Sequence, residues 1–126
     1  MTNSILRDKS FSFALRFIKL YQYLGAEHHE YVLSKQILRA GNSIGANIEE
    51  SVHAQSRLDF IHKLSIAQKE ACETNYWLRL MTESGFIKQK LAESLLSDCE
   101  EIQRLLTSSI KTAKSNMKNG ERPVVA

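Results

Sequence analysis

Two acid–histidine pairs are the candidates for metal chemistry in this sequence. Glu50 and His53 are three residues apart, and Asp59 and His62 repeat that spacing. On a helix this spacing places both side chains on one face, and di-iron bundles combine two Glu-x-x-His motifs with a glutamate from each of two further helices. No further inward-facing carboxylate completes that set. We therefore expect solvated helix ends at both pairs, and no bound metal.

The two cysteines are the candidate nucleophiles. Cys72 and Cys99 are far apart, form no Cys-x-x-Cys motif and are flanked by apolar residues. Neither begins a helix, a position that activates a thiol, so we expect two buried free thiols. His28 and His29 are adjacent and cannot share a helix face. The sequence also contains no glycine-rich phosphate loop, nucleophile elbow or His-Glu-x-x-His motif. We expect a protein that is not an enzyme and needs no cofactor.

The elements that would position these residues are helices. The one proline, Pro123, lies near the C-terminus, and a long stretch without proline favours helices over a turn-rich β fold. Short connections make successive helices antiparallel. We predict an all-α, antiparallel up-down-up-down four-helix bundle over residues 1–115, followed by a flexible tail over 116–126. Apolar residues at steps of three and four place its helices at about 11–24, 30–54, 56–85 and 88–113.

The third helix has the clearest apolar stripe. Ser56 is its expected N-cap, and Gly85 is expected to end it. The stripe alternates steps of four and three through Phe60, Leu64, Ala67, Ala71, Thr74, Leu78 and Met81.

The first two helices are less regular. In the first, we expect Ser10 or Ser12 to cap the start and Gly25 to end the helix. Gly41 and Gly45 share a face of the second helix, and each costs about 1 kcal/mol against alanine. Either a neighbouring backbone comes close there or a long helix tolerates them; we favour close packing. The predicted buried stripe of the first helix is Ala14, Phe17, Ile18, Tyr21 and Leu24.

Positive charge is concentrated toward the C-terminus. The formal net charge is +3 at pH 7, and from Arg104 onward five basic residues accompany one acid, Glu121. Six other basic residues could face outward together and contact phosphates without reading bases. This predicted nucleic-acid-binding set is Arg16, Lys19, Lys35, Arg39, Arg57 and Lys63.

Several polar residues lie close to the apolar stripes. Asn47, Glu49, Glu50, Glu70 and Glu73 are solvated edge groups on one interpretation. On the other, Asn47, Glu70 and Glu73 make specific hydrogen bonds between helices or between subunits. Trp77 lies at the margin of the third stripe, where either core packing or a subunit interface would suit it.

Three blocks of the second and third helices resemble a known family. They are residues 43–50 (SIGANIEE), 60–67 (FIHKLSIA) and 69–78 (KEACETNYWL). The chain resembles the four-helix-bundle proteins encoded in intervening sequences of bacterial large-subunit ribosomal RNA genes, to which the accessory protein of diversity-generating retroelements is similar. The resemblance implies homopentamers of antiparallel four-helix protomers, and the retroelement relative binds nucleic acid and a reverse transcriptase. The positions that carry it look structural or assembly-related: Ser43, Asn47, Glu49, Glu70, Glu73 and Trp77.

These observations define two hypotheses. The first is a homopentameric binding or scaffold protein that engages RNA, DNA or a nucleic-acid enzyme through clustered basic residues. The second is a protein–protein adaptor with no nucleic-acid role. The near-neutral net charge of the chain before Arg104 favours this hypothesis. No apolar stretch approaches the roughly 20 residues that span a bilayer, and the N-terminus does not resemble a signal peptide. We expect a cytoplasmic protein without a membrane partner.

Overall fold

The chain folds into four α-helices. The computed structural model describes residues 4–120, with side chains for 4–118. Within that range there are helices and connections but no strand, which confirms the all-α prediction. The helices are α1 (Ser4–His28), α2 (Val32–Val52), α3 (Arg57–Glu83) and α4 (Gln89–Gly120).

Each helix packs against its neighbours in sequence. Residues 29–31, 53–56 and 84–88 connect the helices, and these short connections make successive helices antiparallel. α4 also returns to contact α1, which closes the four helices around one core, although this contact is the least extensive. The core is lined by fully buried side chains from all four helices, including Phe13, Phe17, Ile44, Leu64, Leu78 and Ile102.

α1 differs from the prediction in its start and in its buried face. It begins at Ser4, so Ser10 and Ser12 lie inside the helix and do not cap it. The predicted stripe is wrong at Ile18, which is 41% exposed, and Ala14 and Tyr21 are only partly buried. The buried face consists of Leu6, Ser10, Phe13, Phe17, Leu20 and Leu24, together with Gly25.

Gly25 does not end α1, contrary to the prediction. The helix continues to His28, and His29 takes the left-handed conformation with φ 50°. The amide of His29 then donates to the carbonyl of Gly25 at 3.2 Å, which is the single hydrogen bond of an αL C-terminal motif. Gly25 instead makes room for Tyr31, whose ring would lie 2.8 Å from an added Cβ. Tyr31 also donates its hydroxyl to the carbonyl of Gly25.

The predicted ends of α3 are confirmed. The hydroxyl of Ser56 accepts a hydrogen bond from the amide of Asp59 at 3.0 Å, so Ser56 is the N-cap. Gly85 follows the C-cap with φ 90°, a conformation that glycine adopts without strain. Every residue of the predicted stripe is buried except Phe60, which is partly buried.

α4 is longer than predicted. The pattern of apolar residues ends at Ala113, but the helix continues to Gly120. Residues 116–120 are therefore helical and do not belong to a tail, while 121–126 lie outside the described residues. The extension carries polar and basic side chains, so it shows no apolar periodicity that would have predicted it.

Gly41 and Gly45 differ in how closely they pack. A Cβ at Gly41 would lie 2.4 Å from the ring of Phe17, so α1 and α2 approach as closely there as predicted. At Gly45 the nearest atom would be the carbonyl oxygen of Ser10 at 3.4 Å, an ordinary contact distance. Only Gly41 is required by packing.

The two thiols have different environments. Cys99 is fully buried and donates its thiol to the carbonyl of Ala71 at 3.4 Å. Burial, with a smaller effect of nearby negative charge, raises the pKa of Cys99 to about 12. Cys72 is exposed. The prediction of two buried thiols is thus right for Cys99 and wrong for Cys72.

Candidate interaction surfaces

The acid–histidine pairs are used in local structure. Glu50 forms an ion pair with Lys63 at 2.8 Å, and Asp59 takes part in the start of α3. In residues 4–118, no group of three or more His, Cys, Asp or Glu side chains is arranged to hold a metal ion. None of the helices within 4–120 is long and apolar enough to cross a membrane.

Arg39 joins α2 to α3. Its guanidinium contacts the carboxylates of Glu70, at 3.2 Å, and Glu73. Glu73 also accepts a hydrogen bond from the indole of Trp77 at 3.2 Å, and Trp77 packs against the core. Desolvation opposes the charge of Arg39, but the two carboxylates outweigh it and raise its pKa. The predicted hydrogen bonds between helices thus occur at Glu70 and Glu73.

We expect Arg39 and Glu70 to couple measurably in a double-mutant cycle. The side chain of Glu70 is only 19% exposed, so replacing Arg39 by alanine leaves a partly buried carboxylate unpaired. Chemical unfolding should give a coupling energy of about 1 kcal/mol, the upper end for surface pairs. The control is the more exposed pair of Arg7 and Glu49, which bridges α1 and α2 at 2.8 Å and should couple by about 0.3 kcal/mol. Equal coupling energies would contradict the interpretation.

Arg16, Arg39 and Lys63 of the predicted nucleic-acid-binding set form ion pairs with other described residues. Besides Arg39 and Lys63, Arg16 contacts Asp98 at 2.6 Å and the hydroxyl of Ser94 at 3.0 Å. Ion pairing neutralises much of the charge that such residues would offer to a phosphate. Of the rest of the set, Arg57 is partly buried at the start of α3, and Lys19 and Lys35 are exposed on α1 and α2.

The remaining motif positions stabilise their own helix or the α1–α2 contact. Asn47 donates its side-chain amide to the backbone carbonyl of Ser43. Ser43 in turn donates its hydroxyl to the backbone carbonyl of Arg39. Both bonds lie within α2, so Asn47 does not make the expected bond between helices. Glu49 contacts Arg7 of α1.

An apolar groove runs along the outer junction of α1 and α2. Phe11, Leu15 and Ile18 are 67%, 46% and 41% exposed. Small residues open the surface beside them, so that a groove of about 370 Å³ forms. The groove is lined by Arg7, Ser10, Phe11, Ala14, Leu15, Ile18, Asn42, Gly45, Ala46 and Glu49. The sequence does not reveal this surface, because the spacing of apolar residues on α1 predicts that Ala14 and Ile18 face the core.

The family can now be assigned from comparisons with known proteins. The model of the 23S rRNA-intervening sequence protein family matches residues 2–108. The chain belongs to this family. The predicted resemblance is thereby confirmed.

A solved structure supports the assignment. The chain is 52% identical to a protein of unknown function from the S23 ribosomal protein family of Bacteroides thetaiotaomicron. The two structures superimpose with a TM-score of 0.86, over 88% of this chain and 99% of that one. Comparison with curated proteins gave no match. Family membership therefore comes with a fold but without an assigned biochemical role.

Proposed function

We propose that this chain is a non-catalytic scaffold that assembles with copies of itself through the α1–α2 groove. The assembly, a pentamer by the family resemblance, would hold a nucleic acid or a nucleic-acid enzyme on its outer surface. The observation that carries the proposal is that α1 is apolar on two faces, of which the chain's own core covers one.

The second apolar face needs a partner. A surface helix of a globular protein normally presents one apolar stripe to the core and polar residues elsewhere. On α1, Phe13 and Phe17 fill the core, while Phe11, Leu15 and Ile18 form a second row at helical spacing. Contiguous exposed apolar surface of this kind is typical of protein interfaces.

A second copy is the partner that suits this face. Apolar residues outside the groove are also exposed: Tyr76 and Leu80 of α3, and Val32 at the start of α2. When two different surfaces of one protomer meet, the contact is head-to-tail, and repeating it with the right rotation closes a ring. Two apolar surfaces on different faces of the protomer therefore support a cyclic assembly.

Charge substitution in the groove tests the proposal. Replacing Phe11 by glutamate removes apolar contact worth about 1.5–3 kcal/mol per interface, which should weaken association by about 10- to 100-fold. Analytical ultracentrifugation would report a lower mass at a given concentration. The matched control is Leu58→Glu, because Leu58 on α3 is 66% exposed and lies outside the groove. Wild-type assembly of a folded Phe11→Glu variant would refute the groove as the interface.

A protein–protein adaptor is the second candidate. The ion pairs of Arg16, Arg39 and Lys63 favour it, because they reduce the positive charge on the α1, α2 and α3 surfaces. Both candidates include self-assembly, and they differ in whether the assembly holds a nucleic acid or a nucleic-acid enzyme.

A further inference from the structure

Charge is segregated along α4. Its first half carries Glu93, Asp98, Glu100 and Glu101, whereas no acidic residue occurs between Ile102 and Gly120. That second half carries four basic residues instead: Arg104, Lys111, Lys114 and Lys118. The helical continuation to Gly120 holds all four on one rigid element.

The four basic residues share one side of the helix. Arg104, Lys111 and Lys118 are seven residues apart, a spacing that returns to nearly the same face. Lys114 lies one turn from Lys111 and Lys118. All four side chains are exposed, and we call them the α4 basic stripe. At 1.5 Å per residue it extends over about 21 Å.

Unlike five other basic residues of the chain, the α4 basic stripe has no counter-ion among the described residues. Arg7, Lys9, Arg16, Arg39 and Lys63 all form ion pairs with carboxylates. No side chain of the stripe is within 4.0 Å of a carboxylate of another described residue. Its charge is therefore available to an external anion.

A shallow groove beside the stripe adds neutral hydrogen-bonding groups. It lies between α3 and α4, has a volume of about 410 Å³, and includes Lys111 and Lys114 together with Ser65 and Thr107. The Ser65 hydroxyl already donates to the carbonyl of Ile61, whereas Thr107 accepts a hydrogen bond from Gln68 and keeps its own proton for an external acceptor. A hydroxyl donor next to ammonium groups is typical of surfaces that contact phosphate and sugar. The apolar face of α4 is buried in the core, so the helix lacks the exposed apolar face that membrane-surface helices use.

We propose that the α4 basic stripe binds the phosphate backbone of a nucleic acid without reading its sequence. This inference rests on the nucleic-acid part of the proposed function and assigns it to a surface other than the six residues expected from the sequence. In duplex DNA one strand advances 3.4 Å per phosphate, so a stripe of about 21 Å runs along about six base pairs.

Titration of a short fluorescently labelled RNA, and of DNA of the same sequence, would test the stripe by anisotropy. The full-length wild type is compared with the triple variant Lys111→Gln, Lys114→Gln, Lys118→Gln. Glutamine preserves helix propensity, and circular dichroism checks the fold. The control, Lys69→Gln, Lys88→Gln, Lys90→Gln, removes the same charge from exposed lysines that belong neither to the stripe nor to the six residues expected from the sequence. Each titration is repeated between about 50 and 200 mM salt.

We expect the stripe variant to bind about 10- to 100-fold more weakly than wild type, with a salt slope lower by about 2 for a single strand. The control should bind within about threefold of wild type. If both variants weaken equally, nucleic-acid binding stands and the stripe is wrong as its location. If wild type binds neither RNA nor DNA at low salt, both the stripe and the nucleic-acid part of the proposed function are wrong. A preference between RNA and DNA would identify the source of the phosphates.

Discussion

Replacing Gly41 by alanine is expected to lower the free energy of unfolding by about 1–3 kcal/mol. Alanine at an ordinary helical position would gain about 1 kcal/mol over glycine. At Gly41, however, the new methyl group would lie 2.4 Å from Cδ2 and 2.7 Å from Cγ of Phe17. Phe17 is fully buried and packs edge-on against Phe13. Its ring cannot move aside without shifting the α1–α2 contact.

Gly45→Ala is the matched control for this prediction. It lies one turn further along the same helix and has no atom closer than 3.4 Å to the added carbon, so it should be neutral or stabilising by up to about 1 kcal/mol. Chemical unfolding at one protein concentration compares the two. Phe17→Leu in the Gly41→Ala background should cost less than the sum of the single changes. Equal stabilisation by both alanines would show that α1 and α2 are not held together at this point.

The second large effect is expected at Glu30, which caps α2. Its carboxylate accepts hydrogen bonds from the amides of Val32, Leu33 and Ser34 at 3.0, 2.9 and 2.8 Å. Three otherwise unpaired donors at a helix N-terminus share this one carboxylate, whose negative charge also suits the helix dipole. Glu30→Ala should therefore destabilise the chain by about 1–2 kcal/mol, whereas Glu27→Ala, at an exposed position without such bonds, should have little effect.

The contribution of Glu30 should depend on pH. Desolvation alone would raise its pKa, but the backbone donors outweigh burial and lower it below 4.5. Between the lowered folded value and 4.5, the unfolded chain binds more protons, so stability rises with pH there. The benefit of Glu30 is present above 4.5 and is lost as pH falls through the folded value. The stability difference between wild type and Glu30→Ala should therefore shrink in acid; a constant difference would rule out the capping role of the carboxylate.

The presence of four helices could be predicted from the sequence, but the face of α1 that packs into the core could not. In α3 one apolar stripe is continuous, and its prediction is confirmed by Leu64, Ala71 and Leu78. In α1 two stripes overlap, and the periodicity of apolar residues does not distinguish the one facing the chain's own core from the one facing outward. Ile18 was assigned to the wrong stripe for this reason.

The location of the basic residues along the chain could be predicted from the sequence, but the ion pairs that they form could not. The sequence correctly places the basic excess at the C-terminal end. It does not show that Arg39 lies against two carboxylates more than thirty residues away in sequence, because such contacts depend on the register of α2 against α3. For a similar reason the prediction placed Lys111 in the fourth helix and Lys118 in the tail. Only the continuous helix observed in the structure aligns Lys118 with Lys111.

The central claim is that the chain assembles with itself, and the mass of the wild-type protein in solution tests it most directly. Sedimentation velocity over a range of concentrations should give a species near five times the 14.4 kDa chain mass, with smaller species growing on dilution. A single species of 14.4 kDa at every concentration would contradict the claim.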